Sequence, residues 1–270
     1  MQAEPLPVNG TGVSEAPRTY LIYHEFAPAA VPYSYCCTVS NFEEHVRLAS
    51  RLQNSVDNKF HLPEITLDDG HISQYRSALP VLETWGTRAI FFVIAGWVGQ
   101  ESQTMSWDEL RELHRLGHQV QSHSLSHPML TNCSDAELHR ELSGSRQEIE
   151  DKLGAPVDAI SIPNGRWNKR VLRACSEAGY QRVFTSDSWR KPQQHDGVYL
   201  CGRLNVAQSM TAARLENLLV CNGRWKLLHD MQLRGKQLLK QAAGDRLYHR
   251  LWQTVARAKA TKAKVTTNRG

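Results

Sequence analysis

Two adjacent carboxylates followed by a glycine, Asp68-Asp69-Gly70, and two imidazoles four positions apart, His123 and His127, are the side chains best equipped for chemistry in this sequence. Neighbouring carboxylates repel one another unless a cation or a proton separates their roles. A divalent metal supplies that separation: one carboxylate ligates and the other stays free as a base. Gly70 permits the sharp turn that lets both project into a mouth. The His123–His127 spacing puts both rings on one face of a helical turn, the arrangement of paired imidazole ligands to zinc. The intervening Ser124-Leu125-Ser126 contains no Glu, so this is not the zinc-protease helix. Taken singly, the acidic turn also reads as a solvated loop and the histidines as surface residues. Together they favour a His-His-Asp centre, with zinc as the metal and cobalt, nickel or iron also compatible.

Two further clusters are Pro163-Asn164-Gly165-Arg166-Trp167 and Ser186-Asp187-Ser188-Trp189. All four clusters directly follow short apolar segments ending at Leu67, Ser122, Ile162 and Thr185. These segments alternate with amphipathic stretches that carry helix signals. Ser106 with Glu109 and Ser134 with Glu137 are capping boxes, and Gly117, Gly154 and Gly179 are stops. The helices are expected over about 42–52 (capped by Ser40 or Asn41), 73–85 (interrupted at Pro80), 107–116, 134–153 and 168–178. The run Ala89-Ile90-Phe91-Phe92-Val93-Ile94 reads as a strand buried on both faces. Such alternation implies parallel strands joined by helical crossovers, either a closed barrel or an open doubly wound sheet. In both, ligands collect at the carboxyl ends of the strands, where the four clusters lie. The resulting expectation is an α/β fold, a distorted (β/α) barrel of about seven parallel strands. The barrel covers 18–208, after a disordered segment over 1–17 and before C-terminal helices and a basic tail over 209–270.

Composition narrows the function classes. The 270 residues are 41% hydrophobic and 22% charged, ordinary for a globular chain. Of the 32 basic residues, seven fall in 246–270, where no acidic residue occurs, so the rest of the chain carries −2. That tail suits contact with an anionic membrane surface. No aromatic-and-basic pattern for nucleic acid appears elsewhere. The six cysteines form no Cys-x-x-Cys pair. A Gly-x-Ser-x-Gly elbow and a phosphate-binding glycine loop are both missing. His45, His61, His114, His118, His139, His195 and His249 read as surface or capping residues.

The clusters resemble the motifs of the polysaccharide deacetylase family, the nodulation-type deacetylases of carbohydrate esterase family 4. The family's Thr-Phe-Asp-Asp-Gly is similar to Thr66-Leu67-Asp68-Asp69-Gly70, and its His-Ser/Thr-x-x-His is similar to His123-Ser124-Leu125-Ser126-His127. The resemblance is firm over about residues 60–190. It implies that Asp69, His123 and His127 bind the metal, most simply Zn2+, and that Asp68 is the general base. Three motifs depart from the pattern. Where the family begins Arg-x-Pro-x-Gly, this chain has Ser161 in Ser161-Ile162-Pro163-Asn164-Gly165, and Arg166 is the substitute expected to orient the base. Of the Asp-x-x-Asp-Trp motif, Asp187 and Trp189 remain. The general acid, a late Leu-x-His, matches only Leu227-Leu228-His229, inside a helical pattern, with His24 or Asp187 as the other candidates. His24, His71, Pro163 and Trp189 are expected to contact substrate. The implied activity is metal-dependent removal of N-acetyl groups from a sugar or polysaccharide. An O-acetyl esterase, a deformylase and a non-catalytic metal-containing glycan binder are the alternatives. The expected location is cytoplasmic, with the basic tail able to rest on the inner membrane.

Overall fold

The computed structural model describes residues 18–31, 33, 35–53, 62–100, 103–188, 193–219 and 231. Seven strands lie side by side, all parallel: β1 (Arg18–Tyr23), β4 (Leu62–Leu67), β5 (Ala89–Val93), β6 (Gln119–Ser122), β7 (Ala159–Ser161), β8 (Arg182–Thr185) and β10 (Val198–Asn205). β1 bonds β4 along one edge and β10 along the other, which closes the sheet into a barrel. Closure decides between the two architectures left open by the strand–helix alternation. Two small additions are not foreshadowed by the sequence pattern. β2 (Glu25–Ala27) and β3 (Cys36–Thr38) pair outside the barrel. β9 (Gln193–His195) folds back on the start of β10. The two-residue Asp196-Gly197 link of that hairpin has both φ angles positive, the conformation that right-twisted hairpins favour.

The helices largely keep their expected places. α3 (Trp107–Arg115) and α4 (Asp135–Leu153) each begin with a complete capping box, and α4 ends at left-handed Gly154. α5 (Lys169–Glu177) is capped by Asn168. α1 (Val39–Gln53) starts earlier than expected. Thr38, not Ser40 or Asn41, offers its hydroxyl to the amide of Asn41. The stretch after the acidic turn divides into a π-helical turn, Gln74–Ala78, and α2 (Leu79–Thr84), with Pro80 in the first turn of α2 where its missing N–H is harmless. Beyond α6 (Ala212–Leu219), residues 220–230 and 232–270, and with them the basic tail, lie outside the described residues.

Strand periodicity sorts the core into two layers. Ile65, Leu67, Phe91, Val93, Ile160 and Val183 join the larger cluster shared with the helices. Tyr20, Ile90, Phe92, Ala159, Phe184 and Cys201 form a separate cluster. The alternate residues of β5, Ile90 and Phe92, belong to this second, inner set, as period-two geometry requires. Two steps on from Ala159 and Cys201 come Ser161 and Arg203, which place polar groups on the same inner face.

His45 is wholly buried, not a surface residue as its sequence context implied. Its Nε2–H donates to the Met210 carbonyl (3.0 Å), and its Nδ1 accepts from the Tyr23 hydroxyl (3.1 Å). Burial pushes this imidazole down to about 4. The unfolded chain, with an ordinary pKa near ~6.5, takes up the proton first. Stability from this site is therefore complete above that value and falls as pH drops from there towards about 4, by ~3 kcal/mol at most. Urea midpoints measured from pH 7 to 4.5 should fall more steeply in the wild type than in His45→Gln.

Candidate metal centre and active site

The clusters converge on one end of the barrel. Asp68 follows β4 and its amide still bonds the Tyr23 carbonyl (2.9 Å), while His123 follows β6 and bonds the Val93 carbonyl (2.7 Å). Asp69 and Gly70 both have left-handed φ, 75° and 67°. A Cβ added at Gly70 would press on Val93 at 3.2 Å. This turn sends the two adjacent carboxylates to different places. Asp68 continues the inner face of β4 and is 4% exposed, whereas Asp69 is half-buried at the mouth.

Asp69, His123 and His127 each offer a ligand atom, all within 4.8 Å of one another. Asp69 Oδ1 is 3.3 Å from His123 Nε2 and 3.7 Å from His127 Nε2. Tetrahedral donors ~2.0–2.1 Å from zinc stand ~3.3 Å apart, so the spacing fits. His123 donates Nδ1–H to the Ser161 carbonyl (2.8 Å), which aims its Nε2 at Asp69. Such second-sphere bonding is the usual way an imidazole ligand is oriented. A bare lone pair facing a carboxylate is repulsive, so a proton or a cation belongs between them. Burial lowers the affinity of His123 for a proton, but Asp68 and the Asp69 hydrogen bond outweigh it and raise the pKa. Burial and the neighbouring His123 take His127 down to about 4, leaving it a neutral donor. The donor set fits a divalent metal held by three protein ligands.

The histidines do not share a helical turn as their spacing suggested. Residues 123–129 form a loop with left-handed Ser124 (67°) and His127 (61°). Buried Glu141 of α4 braces it: one carboxylate oxygen accepts from the amides of Leu125 (3.1 Å) and Ser126 (2.8 Å), the other from the Ser126 hydroxyl (2.7 Å). The turn Ala95–Trp97 docks alongside, the Ala95 and Gly96 amides donating to the carbonyls of Ser124 and Leu125. A Cβ on Gly96 would lie 2.7 Å from the Leu125 oxygen, so only glycine allows this approach. Exposed Trp97 is thereby held 6.1 Å from the His127 ring, centroid to centroid.

The guanidinium on Asp68 comes from Arg203 of β10, not from Arg166. Arg203 grips both oxygens at 2.7 Å and also bonds Ser161 Oγ (2.6 Å) and Thr66 Oγ1 (3.0 Å). Ser161 Oγ itself donates to Asp68 Oδ2 (3.0 Å). Burial works against the Asp68 charge, but Arg203, followed by His123, holds its carboxyl well below the usual carboxylate range. Asp69 is lowered as well: the hydrogen bond and charge of His123 outweigh its burial. The signal for Arg203 was available in part, since an Arg at an inward position of a barrel strand must find an anion. The sequence offered no means of pairing it across the lumen with Asp68.

The remaining candidates divide. His24, at the end of β1, is close enough for its charge to act on Asp68, Asp69 and His127. Its buried Nδ1 has no hydrogen-bond partner among the described residues, and its ring centre lies 5.2 Å from that of Tyr35. His71 bonds Ser73 through Nδ1 (2.7 Å). Pro163 is buried at the start of the turn Pro163–Gly165, which follows β7. Asp187 accepts from Trp167 Nε1 (3.0 Å), so it anchors an indole. Trp189 and His229 lie outside the described residues.

A model described as "Polysaccharide deacetylase" matches residues 57–183, the stretch that carries both the acidic turn and the histidines. A peptidoglycan-N-acetylglucosamine deacetylase of Bacillus cereus is 30% identical over 132 residues, 48% of this chain and 59% of that one. A chitooligosaccharide deacetylase of Bradyrhizobium sp. is 29% identical over 133 residues, 47% and 58%. This chain thus spans under two thirds of the length of either relative. Among solved structures, the Streptococcus pyogenes deacetylase PplD in complex with acetate superposes with a TM-score of 0.67 at 20% identity, covering 75% of this chain and 97% of that one. At that identity the likeness speaks for the barrel fold alone. The matched region holds the paired carboxylates and both imidazoles, so over residues 57–183 the chain is similar to the polysaccharide deacetylase family.

Proposed function

We propose that this chain is a metal-dependent hydrolase that removes N-acetyl groups from a carbohydrate polymer, with Zn2+ as the metal. The observation that carries the reading is the meeting of Asp69, His123 and His127 beside a second, separately anchored carboxylate, Asp68. A divalent cation held there would polarise an acetamide carbonyl and lower the pKa of an attacking water towards ~7. Asp68 takes up the proton. Its low pKa keeps it ionised through the neutral range, and a weak base suffices for so acidified a nucleophile. His24 returns a proton to the departing amine. It stands just beyond β1 beside the end of β10, where Ile22 is opposite Asn205 and the last barrel strand carries no histidine of its own. Exposed aromatics at the mouth, Trp97 beside His127 and Tyr33 edge-on to Tyr35, suit the apolar faces of sugar rings.

The test is acetate release from a panel of N-acetylglucosamine oligomers by zinc-loaded and chelator-stripped protein. Acetate is expected only from the loaded chain. Release of acetate from O-acetylated sugars alone, or of formate from formamides alone, would replace this reading by the esterase or deformylase. His24→Ala separates the steps further. An amine is a poor leaving group and needs the acid, so amide turnover should fall by roughly 10²-fold or more. An activated aryl acetate, whose leaving group needs no proton, should be hydrolysed at close to the wild-type rate. Equal losses on both substrates would show that His24 is not the acid.

A further inference from the structure

We propose that Gln74 is a positioning residue that holds the proton donor His24 at a fixed distance from the base Asp68, by bonding the main-chain carbonyls of both. This rests on the roles given to those two residues above. The strands that carry them part at the site. Pairing of β1 with β4 ends at Tyr23 opposite Leu67, and one further bond follows, from the Asp68 amide to the Tyr23 carbonyl (2.9 Å). Past it, Asp68 enters the acidic turn, while His24 leads out of the barrel into β2. The side-chain amide of Gln74 bridges the gap, its two N–H groups donating to the carbonyls of His24 (2.8 Å) and Asp68 (2.5 Å). Gln74 is wholly buried and begins the π-helical turn, a rare backbone form that is frequent at functional sites.

The chemistry of this side chain suits the task. Two carbonyls can be met only by the NH2 end of an amide, so the orientation of Gln74 is fixed. Its Oε1 is left buried without a hydrogen-bond partner among the described residues, a cost that an apolar residue serving packing alone would avoid. Ser73, just before it, accepts from the Phe26 amide (2.9 Å) through Oγ. Consecutive side chains of one turn thus tie down the two residues that flank Glu25. The base and the acid depend on this tie unequally. The Asp68 carboxylate is also gripped by Arg203 and Ser161, so it keeps its place without Gln74. The His24 ring lacks that support, since its buried Nδ1 is unpaired among the described residues. Its place is set through the main chain that Gln74 holds. Loss of Gln74 therefore releases the acid and leaves the base.

Gln74→Met keeps the length of the side chain but donates nothing, and it is assayed on N-acetylglucosamine oligomers and on an activated aryl acetate. With the oligomers, kcat should fall by roughly 10- to 10²-fold, the cost of a displaced reacting group, while KM changes little. The aryl acetate, whose leaving group needs no proton, should be hydrolysed at close to the wild-type rate. A second readout is the coupling to His24. In a His24→Ala background, Gln74→Met should cost little further amide turnover, because the group it positions is already gone. Equal losses on the two substrates, or losses that multiply with those of His24→Ala, overturn the inference, since a merely structural glutamine would weaken both activities alike. Unchanged amide turnover overturns it as well. If Gln74→Met does not fold, Gln74→Asn, whose shorter side chain cannot span both carbonyls, decides on the same readouts. Should His24→Ala by itself lower amide and aryl acetate turnover equally, the acid reading fails. That result is obtained with Gln74 intact, so the two failures are distinguishable.

Discussion

An Asp68→Asn chain is expected to lose about 10²- to 10⁴-fold in acetate release while its metal content stays at one ion per chain. The ligand atoms of Asp69, His123 and His127 are untouched by the change. What disappears is the acceptor for the proton of the attacking water. An amide in that position cannot take it up. The substitution has a second, separable consequence. Arg203 is left buried with its charge uncompensated, and removing one partner of such a pair costs about 3–5 kcal/mol. The urea midpoint should fall accordingly. Turnover per folded molecule and the unfolding midpoint are therefore recorded side by side. A folded Asn variant that turns over at the wild-type rate would remove Asp68 from the reaction.

His123→Ala should abolish both activity and the response of stability to zinc. Two consequences come from one side chain. The imidazole is one of the three proposed donors to the cation, and its Nδ1–H ties the mouth to the Ser161 carbonyl on β7. In the wild type, a ligand that binds only the folded chain stabilises it by about 2.7 kcal/mol at a hundredfold excess over Kd. For a domain of this size each kcal/mol moves Tm by ~2–4 °C, so zinc should raise the wild-type Tm by roughly 5–10 °C. Differential scanning with and without zinc checks this. The His123→Ala chain should show no such rise. An equal rise in both chains would place the metal elsewhere than Asp69, His123 and His127.

Much of the fold was legible in the residues, and the reasons are local. Capping boxes at Ser106–Glu109 and Ser134–Glu137 satisfy amides within three residues, so they can be read directly from sequence. The β5 strand declares itself by five successive apolar residues, all buried. The early start of α1 was not legible because Thr38 is as good a cap as Ser40, and packing chose between them. The burial of His45 was hidden for a related reason. Its acceptor, the Met210 carbonyl, lies 165 positions away.

The candidate site divides along the same line. Residue types and spacing alone determined that a carboxylate pair and an imidazole pair follow strands of one parallel sheet, because chemistry in such folds is confined to the carboxyl ends of strands. They also determined that Asp69, His123 and His127 are the donors to test first. Only the tertiary structure decided that the histidines meet through a left-handed loop braced by Glu141 and that Arg203, not Arg166, holds Asp68. It also brought His24 within electrostatic reach of both carboxylates. Each of those facts joins strands or loops far apart in the chain. A buried charge takes whatever partner closure of the barrel brings within reach, and that closure is a property of the whole sheet, not of any segment of sequence.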